Sequence, residues 1–182
     1  MSLRTRVMFM SDIEIPEGVK AEVSGDKVTI SGKLGANERK FNKALMSVKV
    51  DGSKITIEPV TFKRLAKKAA NADKAMQTEL NDDISGVQEY HEIKMQYIYA
   101  HFPMTLEVKG DTVTIKNIFG ERAPRLAQIR KGVKVEVKGQ DVRVYGTNLE
   151  DVAQTAANMK KACRAKSKDA RIFQDGVYYT IE

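Results

Sequence analysis

Cysteine is almost missing from this chain of 182 residues: Cys163 is the only one, so no internal disulfide can form and a reducing compartment fits. Histidine is scarce too. His91 and His101 stand in strand-like segments, with no cysteine near them in sequence and no metal-ligand spacing, so no metal is expected. No Gly-x-Gly-x-x-Gly occurs, and Gly32-Lys33 lacks the spaced glycine and hydroxyl residue of a phosphate loop. No nucleophile, base and orienting group can be named together, which argues against an enzyme, a cofactor or a small-molecule substrate. No apolar run approaches the ~18–20 residues of a membrane span, so no membrane partner is expected. The apolar stretch Val7-Met8-Phe9-Met10 follows basic residues but is only four residues long, too short for a signal-peptide core. The expectation is a cytoplasmic chain, with translation beginning at Met8 or Met10 because nothing upstream looks structural.

What is present is a balanced, folded composition, 42% apolar and 30% charged, with a formal net charge of +7. That excess favours an anionic partner, nucleic acid ahead of a membrane surface. The chain also contains itself twice. Glu22-Val23-Ser24-Gly25-Asp26-Lys27-Val28-Thr29-Ile30 returns 85 residues later as Glu107-Val108-Lys109-Gly110-Asp111-Thr112-Val113-Thr114-Ile115. Extended to Gly35 and Gly120, the two windows share eight identities in fourteen positions, where ordinary residue usage gives about one. Val50–Ile57 matches Val137–Val144 at an offset of 87, as Ala69-Ala70-Asn71 matches Ala156-Ala157-Asn158. A period this long exceeds the ~20–50 residues of solenoid repeats and indicates a duplicated small domain. Composition and spacing give an N-terminal extension over 1–12, expected to be flexible, a first repeat over 13–97 and a second over 98–182.

Period-two alternation around Gly25-Asp26 and around Asp51-Gly52 predicts hairpins. Gly32 to Asn37 reads as a loop, Glu38 to Phe41 as extended chain, and Pro59 as a strand end. A helix is expected from about Phe62 to Leu80 with Thr61 as candidate N-cap, followed by a polar loop from Asn81 to Gly86. The second helix carries Leu149, Val152, Ala153, Ala156, Met159 and Cys163 at helical spacing, with Thr147 and Glu150 as its capping box. Cys163 falls on that apolar stripe, which gives it a packing role. Tyr90 to Tyr99 reads as strand and Tyr97 to Pro103 as the bridge between repeats. The fold class is α+β: two tandem duplicated domains, each a small, mainly antiparallel sheet with one helix packed on one face.

The repeats differ in charge. Residues 1–97 hold 16 Lys+Arg against 14 Asp+Glu, or +2, while residues 98–182 hold 15 against 10, or +5. Most of the difference sits where the second helix ends, at Lys160, Lys161, Arg164, Lys166, Lys168 and Arg171, interrupted only by Asp169. The matching place in the first copy, Lys74 to Asp83, is net acidic. A helix C-terminus favours nearby cations by about 0.3–1 kcal/mol each, which accounts for two or three of them but not six. The cluster runs into Phe173, Tyr178 and Tyr179, and positive charge beside aromatic planes suits RNA. The plainer reading makes Tyr178 and Thr180 one face of a final strand alternating with Val177, Tyr179 and Ile181. Arg122, Arg125, Arg130 and Lys131 either extend the anionic footprint or solubilise a loop. Arg39, Lys40 and Lys43 lie at a comparable place in the first copy. Lys63, Arg64, Lys67 and Lys68 read as a solvated helix face.

The run Gly146-Thr147-Asn148-Leu149-Glu150-Asp151-Val152-Ala153-Gln154-Thr155-Ala156-Ala157-Asn158, closing with Arg171-Ile172-Phe173-Gln174-Asp175-Gly176-Val177-Tyr178-Tyr179, resembles the universal ribosomal large-subunit protein six family. Tyr99-Ala100-His101-Phe102-Pro103 and Phe119-Gly120-Glu121-Arg122-Ala123-Pro124-Arg125 resemble its archaeal-type branch, and the likeness extends from about Ile13 onward. The bacterial branch's Pro-rich Lys-Gly-Lys-Gly stretch is missing. The resemblance implies a non-enzymatic protein that binds large-subunit ribosomal RNA chiefly through its second domain. It further implies a place near the sarcin–ricin and translation-factor region, ribosomal proteins of the stalk base as neighbours, and a monomer off the ribosome. Carried onto this chain, it makes Gln154, Asn158, Arg171, Phe173, Gln174, Asp175 and Gly176 candidates for contacting RNA or shaping the contacting loop. Two other readings stay open: a free-standing RNA-binding or assembly module, and a protein–protein scaffold with an incidental basic tail.

Overall fold

The computed structural model describes residues 11–59, 65–166 and 168–180. The candidate start sites, the cap Thr61, Phe62, Lys63, Arg64 and Ile181 lie outside these residues, as does the extension before Ser11. The chain divides into two units between Glu89 and Tyr90.

The first unit runs β1 (Ser11–Glu14), β2 (Lys20–Ser24), β3 (Lys27–Gly32), β4 (Gly35–Lys40), β5 (Met46–Asp51), β6 (Lys54–Pro59) and α1 (Ala66–Gln88). Its strands form two antiparallel sheets, ordered β2-β3-β4 and β1-β6-β5. Ser11 and Asp12 pair with Ile57 and Thr56, so strand structure begins inside the span assigned to the extension. Alternation decides which face is buried. Val28 and Ile30 on β3 and Ile55 and Ile57 on β6 are closed to solvent, each contributing about 1.5–3 kcal/mol of transfer free energy. The two hairpin turns place Gly25 and Gly52 at φ of 65° and 58°, which the tight turn requires and which a Cβ would oppose.

Two expectations fail here. Gly32 to Asn37 is not a loop: Gly32 pairs directly with Gly35 across a two-residue turn. Gly32 is there for space, since a Cβ on it would stand 2.8 Å from Val87 Cγ2. Nor is Asn81 to Gly86 a loop, because α1 continues through it to Gln88. The buried stripe Met76, Leu80, Ile84 and Val87 keeps helical spacing. The polar residue within it, Asp83, is buried and held by strand β4: Arg39 Nε donates to Asp83 Oδ2 at 2.7 Å and Asn37 Nδ2 to Oδ1 at 3.0 Å.

The second unit repeats the plan with one addition. It comprises β7 (His91–Ile98), β8 (Thr105–Lys109), β9 (Thr112–Lys116), a 3-10 turn (Ile118–Gly120), β10 (Arg125–Gln128), β11 (Val133–Lys138), β12 (Asp141–Gly146), α2 (Leu149–Ala162) and β13 (Gly176–Tyr179). The sheets are β10-β9-β8 and β11-β12-β7-β13, again antiparallel throughout. The halves thus carry the same three-stranded arrangements, and β13 adds a fourth strand beside β7. Strand β7 pairs with β12 and β13, so it opens the second unit, whereas the repeat spacing put the division between 97 and 98. His101 lies in a bend after it.

Helix α2 starts one residue later than its expected capping box. Asn148, in extended conformation, accepts from the amides of Glu150 and Asp151, satisfying donors the first turn leaves open. Glu150 and Asp151 occupy its first turn and Lys160 and Lys161 its last, the arrangement the helix dipole favours. Val152, Ala156 and Met159 are fully buried, and Ala156 lets the helix lie close to the sheet. Cys163, its C-cap, is buried as packing predicted, and burial pushes its thiol up to about 11.

Candidate nucleic-acid interface

The surface at the end of α2 is built by three pieces of chain: the helix exit, the edge strand β10 and the closing strand β13. Lys160, Lys161, Arg164, Lys166, Lys168 and Arg171 are all exposed there. Among the described residues, no carboxylate forms an ion pair with any of the six. Asp169, the acid within the run, is used by the backbone: its Oδ1 accepts from the Arg171 amide at 2.9 Å and its carbonyl accepts from Ile172 and Phe173. It folds the loop and, among the described residues, forms no ion pair with the six.

Two clefts flank this surface. One, of about 880 Å3, lies between β10 and the helix exit and is lined by Leu126, Gln128, Asn158, Lys161, Arg164 and Lys166. The other, of about 520 Å3, lies between the helix exit and β13 and is lined by Lys160, Lys161, Arg164, Phe173, Tyr178 and Tyr179. Lys161 and Arg164 line both, so they form a cationic ridge with a cleft on either side. Lys160 Nζ lies 4.9 Å from the Tyr179 ring and Lys168 Nζ 4.5 Å from the Phe173 ring, within cation–π range. Lys168 and Arg171 line neither cleft.

The candidates carried over from the family resemblance mostly shape this surface. Gln154 donates to Asn158, and Asn158 Nδ2 donates to Gln128 O on β10 at 2.9 Å, joining helix to strand. Gln174 Nε2 donates to Arg171 O, and its own carbonyl accepts from the Tyr178 hydroxyl at 2.8 Å. Asp175 is buried; its Oδ1 accepts from the Ala100 amide at 2.7 Å with the His101 ring beside it, while Oδ2 has no hydrogen-bond partner among the described residues. Gly176 is buried at the start of β13.

The second set separates. Arg122, Arg130 and Lys131 are exposed and line neither cleft. Arg125 lines the first cleft, but its guanidinium is already engaged: it pairs with Glu121 through two bonds of 2.8 and 2.6 Å, and Nη1 donates to Ala162 O and Arg164 O. Its guanidinium also covers the buried Phe119 ring, 5.4 Å away. Arg125 is therefore a brace for the helix exit, a role that charge counting cannot distinguish from solubility. Phe119 sits at φ 53°, a left-handed conformation costing about 1–3 kcal/mol for a bulky residue, and its ring meets Phe173 edge-on. Leu126 is a residue of this surface that the sequence does not mark. Leu126 is 64% exposed over the first cleft, and only the placement of β10 beside the helix exit reveals it.

Fold and surface together define a duplicated α+β protein whose second copy carries a cationic, ring-bearing edge. The model of the family described as Ribosomal protein L6 matches residues 102–176. Large ribosomal subunit protein uL6 of Methanocella arvoryzae is 40% identical over 170 residues, covering 93% of this chain and 94% of the relative. The uL6 proteins of Aeropyrum pernix and Methanosarcina mazei are 40% and 41% identical, over 94% and 91% of this chain and 93% of each relative. The chain belongs to the ribosomal protein L6 family, in its archaeal-type branch.

Proposed function

We propose that this chain is a structural, non-catalytic constituent of the large ribosomal subunit, and that it binds large-subunit ribosomal RNA through the ridge and clefts at the end of α2. The observation that carries the RNA reading is six exposed cations about one helix exit, none ion-paired with a carboxylate among the described residues, four of which line its two clefts. Unpaired lysine and arginine side chains bind phosphate by releasing counterions, and the adjoining rings give bases a surface to contact. Family membership supports the ribosomal setting, with a position near the sarcin–ricin and translation-factor region and neighbours at the stalk base. The second unit, with 16 Lys+Arg against 11 Asp+Glu over 90–182, is the main RNA-binding domain.

Affinity for a large-subunit RNA fragment should fall steeply with salt, with a log–log slope on the order of −4 to −5 if six phosphates are engaged. Replacing Lys160, Lys161 and Arg164 together by Ala should weaken binding and flatten that slope. Replacing the exposed Lys67 and Lys68 of α1 should leave both unchanged. An unaltered slope in the triple variant would count against this surface. Co-sedimentation with large subunits separates the ribosomal reading from a free-standing RNA-binding module.

A further inference from the structure

Resting on the RNA reading above, we infer that the cleft between α2 and β13 receives one unpaired nucleobase, while the ridge beside it holds the flanking phosphates. Phosphate binding alone needs no rings, yet Phe173, Tyr178 and Tyr179 line this cleft together with Lys160, Lys161 and Arg164. Tyr178 and Tyr179 are 40% and 42% exposed, and a stacked base would cover that surface. The cleft, about 520 Å3, is walled on one side by the helix exit and on the other by β13. Gly176 forms the floor beneath the Tyr178 ring: a Cβ there would make ordinary contacts, 3.5 Å with that ring and 3.6 Å with Cys163.

The rings are held before any ligand arrives. Tyr178 is tied by its hydroxyl to Gln174 O, and Asp175 anchors the start of β13 to the Ala100 amide. Lys160 lies over the Tyr179 ring, from which a short swing of its flexible stem would carry its ammonium to a phosphate of the inserted nucleotide. Stacking accepts every base because each has a π-face, so the cleft reads pairing state more than base identity.

The test uses the full chain and two RNA hairpins of equal length and charge, one fully paired and one carrying a single bulged 2-aminopurine. The bulged RNA should bind about tenfold more tightly, with quenching of the 2-aminopurine fluorescence. Tyr178→Ala with Tyr179→Ala should abolish both the preference and the quenching while the salt slope stays unchanged. The matching pair of Phe substitutions should retain them. Equal affinity for the two hairpins with a steep salt slope would overturn the base seat and leave the phosphate reading standing. Failure to bind either hairpin would overturn both.

Discussion

Arg125 holds the backbone of Arg164: its Nη1 donates to the Arg164 carbonyl oxygen at 2.7 Å, and to that of Ala162 at 2.8 Å. One guanidinium thus satisfies two carbonyls that a helix end leaves open and fixes the direction in which the cationic segment departs. Glu121 holds the guanidinium in turn.

Substituting Arg125 by Met should lower stability in urea unfolding by about 2–3 kcal/mol, the scale of charge-assisted hydrogen bonds left unmade. Hydrogen exchange over 163–175 should rise more than in the rest of the second unit. The pair also predicts a pH dependence. Hydrogen bonds from Arg125, first, hold the Glu121 carboxyl below its ordinary 4.5, with Lys166 and Lys168 assisting. A depressed folded value means this contribution is fully present above about 4.5 and is lost as pH falls through the folded value. Glu121→Gln should be less stable than the parent at neutral pH and should lose less on acidification. Parallel acid profiles for the two proteins would argue against the brace.

In the first unit the equivalent clasp is ionic and buried. Burial raises the Asp83 carboxyl above its ordinary 3.8 despite the opposing hydrogen bonds from Arg39 and Asn37. Arg39→Met should cost about 3–5 kcal/mol at neutral pH, because a buried carboxylate loses its counter-charge. With a raised folded value, Asp83 holds its proton more readily folded than unfolded, so its contribution declines as pH climbs from 3.8 through that value. The deficit of Arg39→Met should therefore shrink towards acid pH, and adding Asp83→Leu should recover much of it. Chemical unfolding at pH 4 and pH 7 decides both points.

Cys163 should be inert in the folded protein. Burial drives its thiol up to about 11, and the side chain sits 4% exposed in the core. Iodoacetamide at pH 8 should label it only as fast as the second unit opens, and fully in denaturant. Rapid labelling of the native chain would remove the packing assignment.

Several of these features were within reach of sequence reasoning. The hairpins around Gly25 and Asp51-Gly52, the antiparallel pairing and the apolar stripe of α2 follow from local alternation, and all stand in the structure. The stretch Asn81 to Gly86 misled because Asn, Asp, Ser and Gly are turn formers by local preference. Leu80, Ile84 and Val87 override that preference by burying one face, and Arg39, distant in sequence, accounts for Asp83. The cap moved from Thr147 to Asn148 for a similarly local reason: the extended backbone of Asn148 aims its side chain at the amides of Glu150 and Asp151.

By itself the sequence determined that the domain is doubled and that the later copy gathers six cations and three rings about its helix exit. Residue type and spacing along the chain are enough for that, since hairpins, helix faces and charge runs are short-range properties. Only the tertiary structure decided which charges face outward. Arg125 and Arg164 are equally basic, 39 residues apart and both on the first cleft, yet one is 14% exposed and bonded to carbonyls and Glu121 while the other stands exposed on the ridge between two clefts. The reason is that β10 is laid beside the end of α2, and a guanidinium there meets unsatisfied carbonyls and a carboxylate before it meets water.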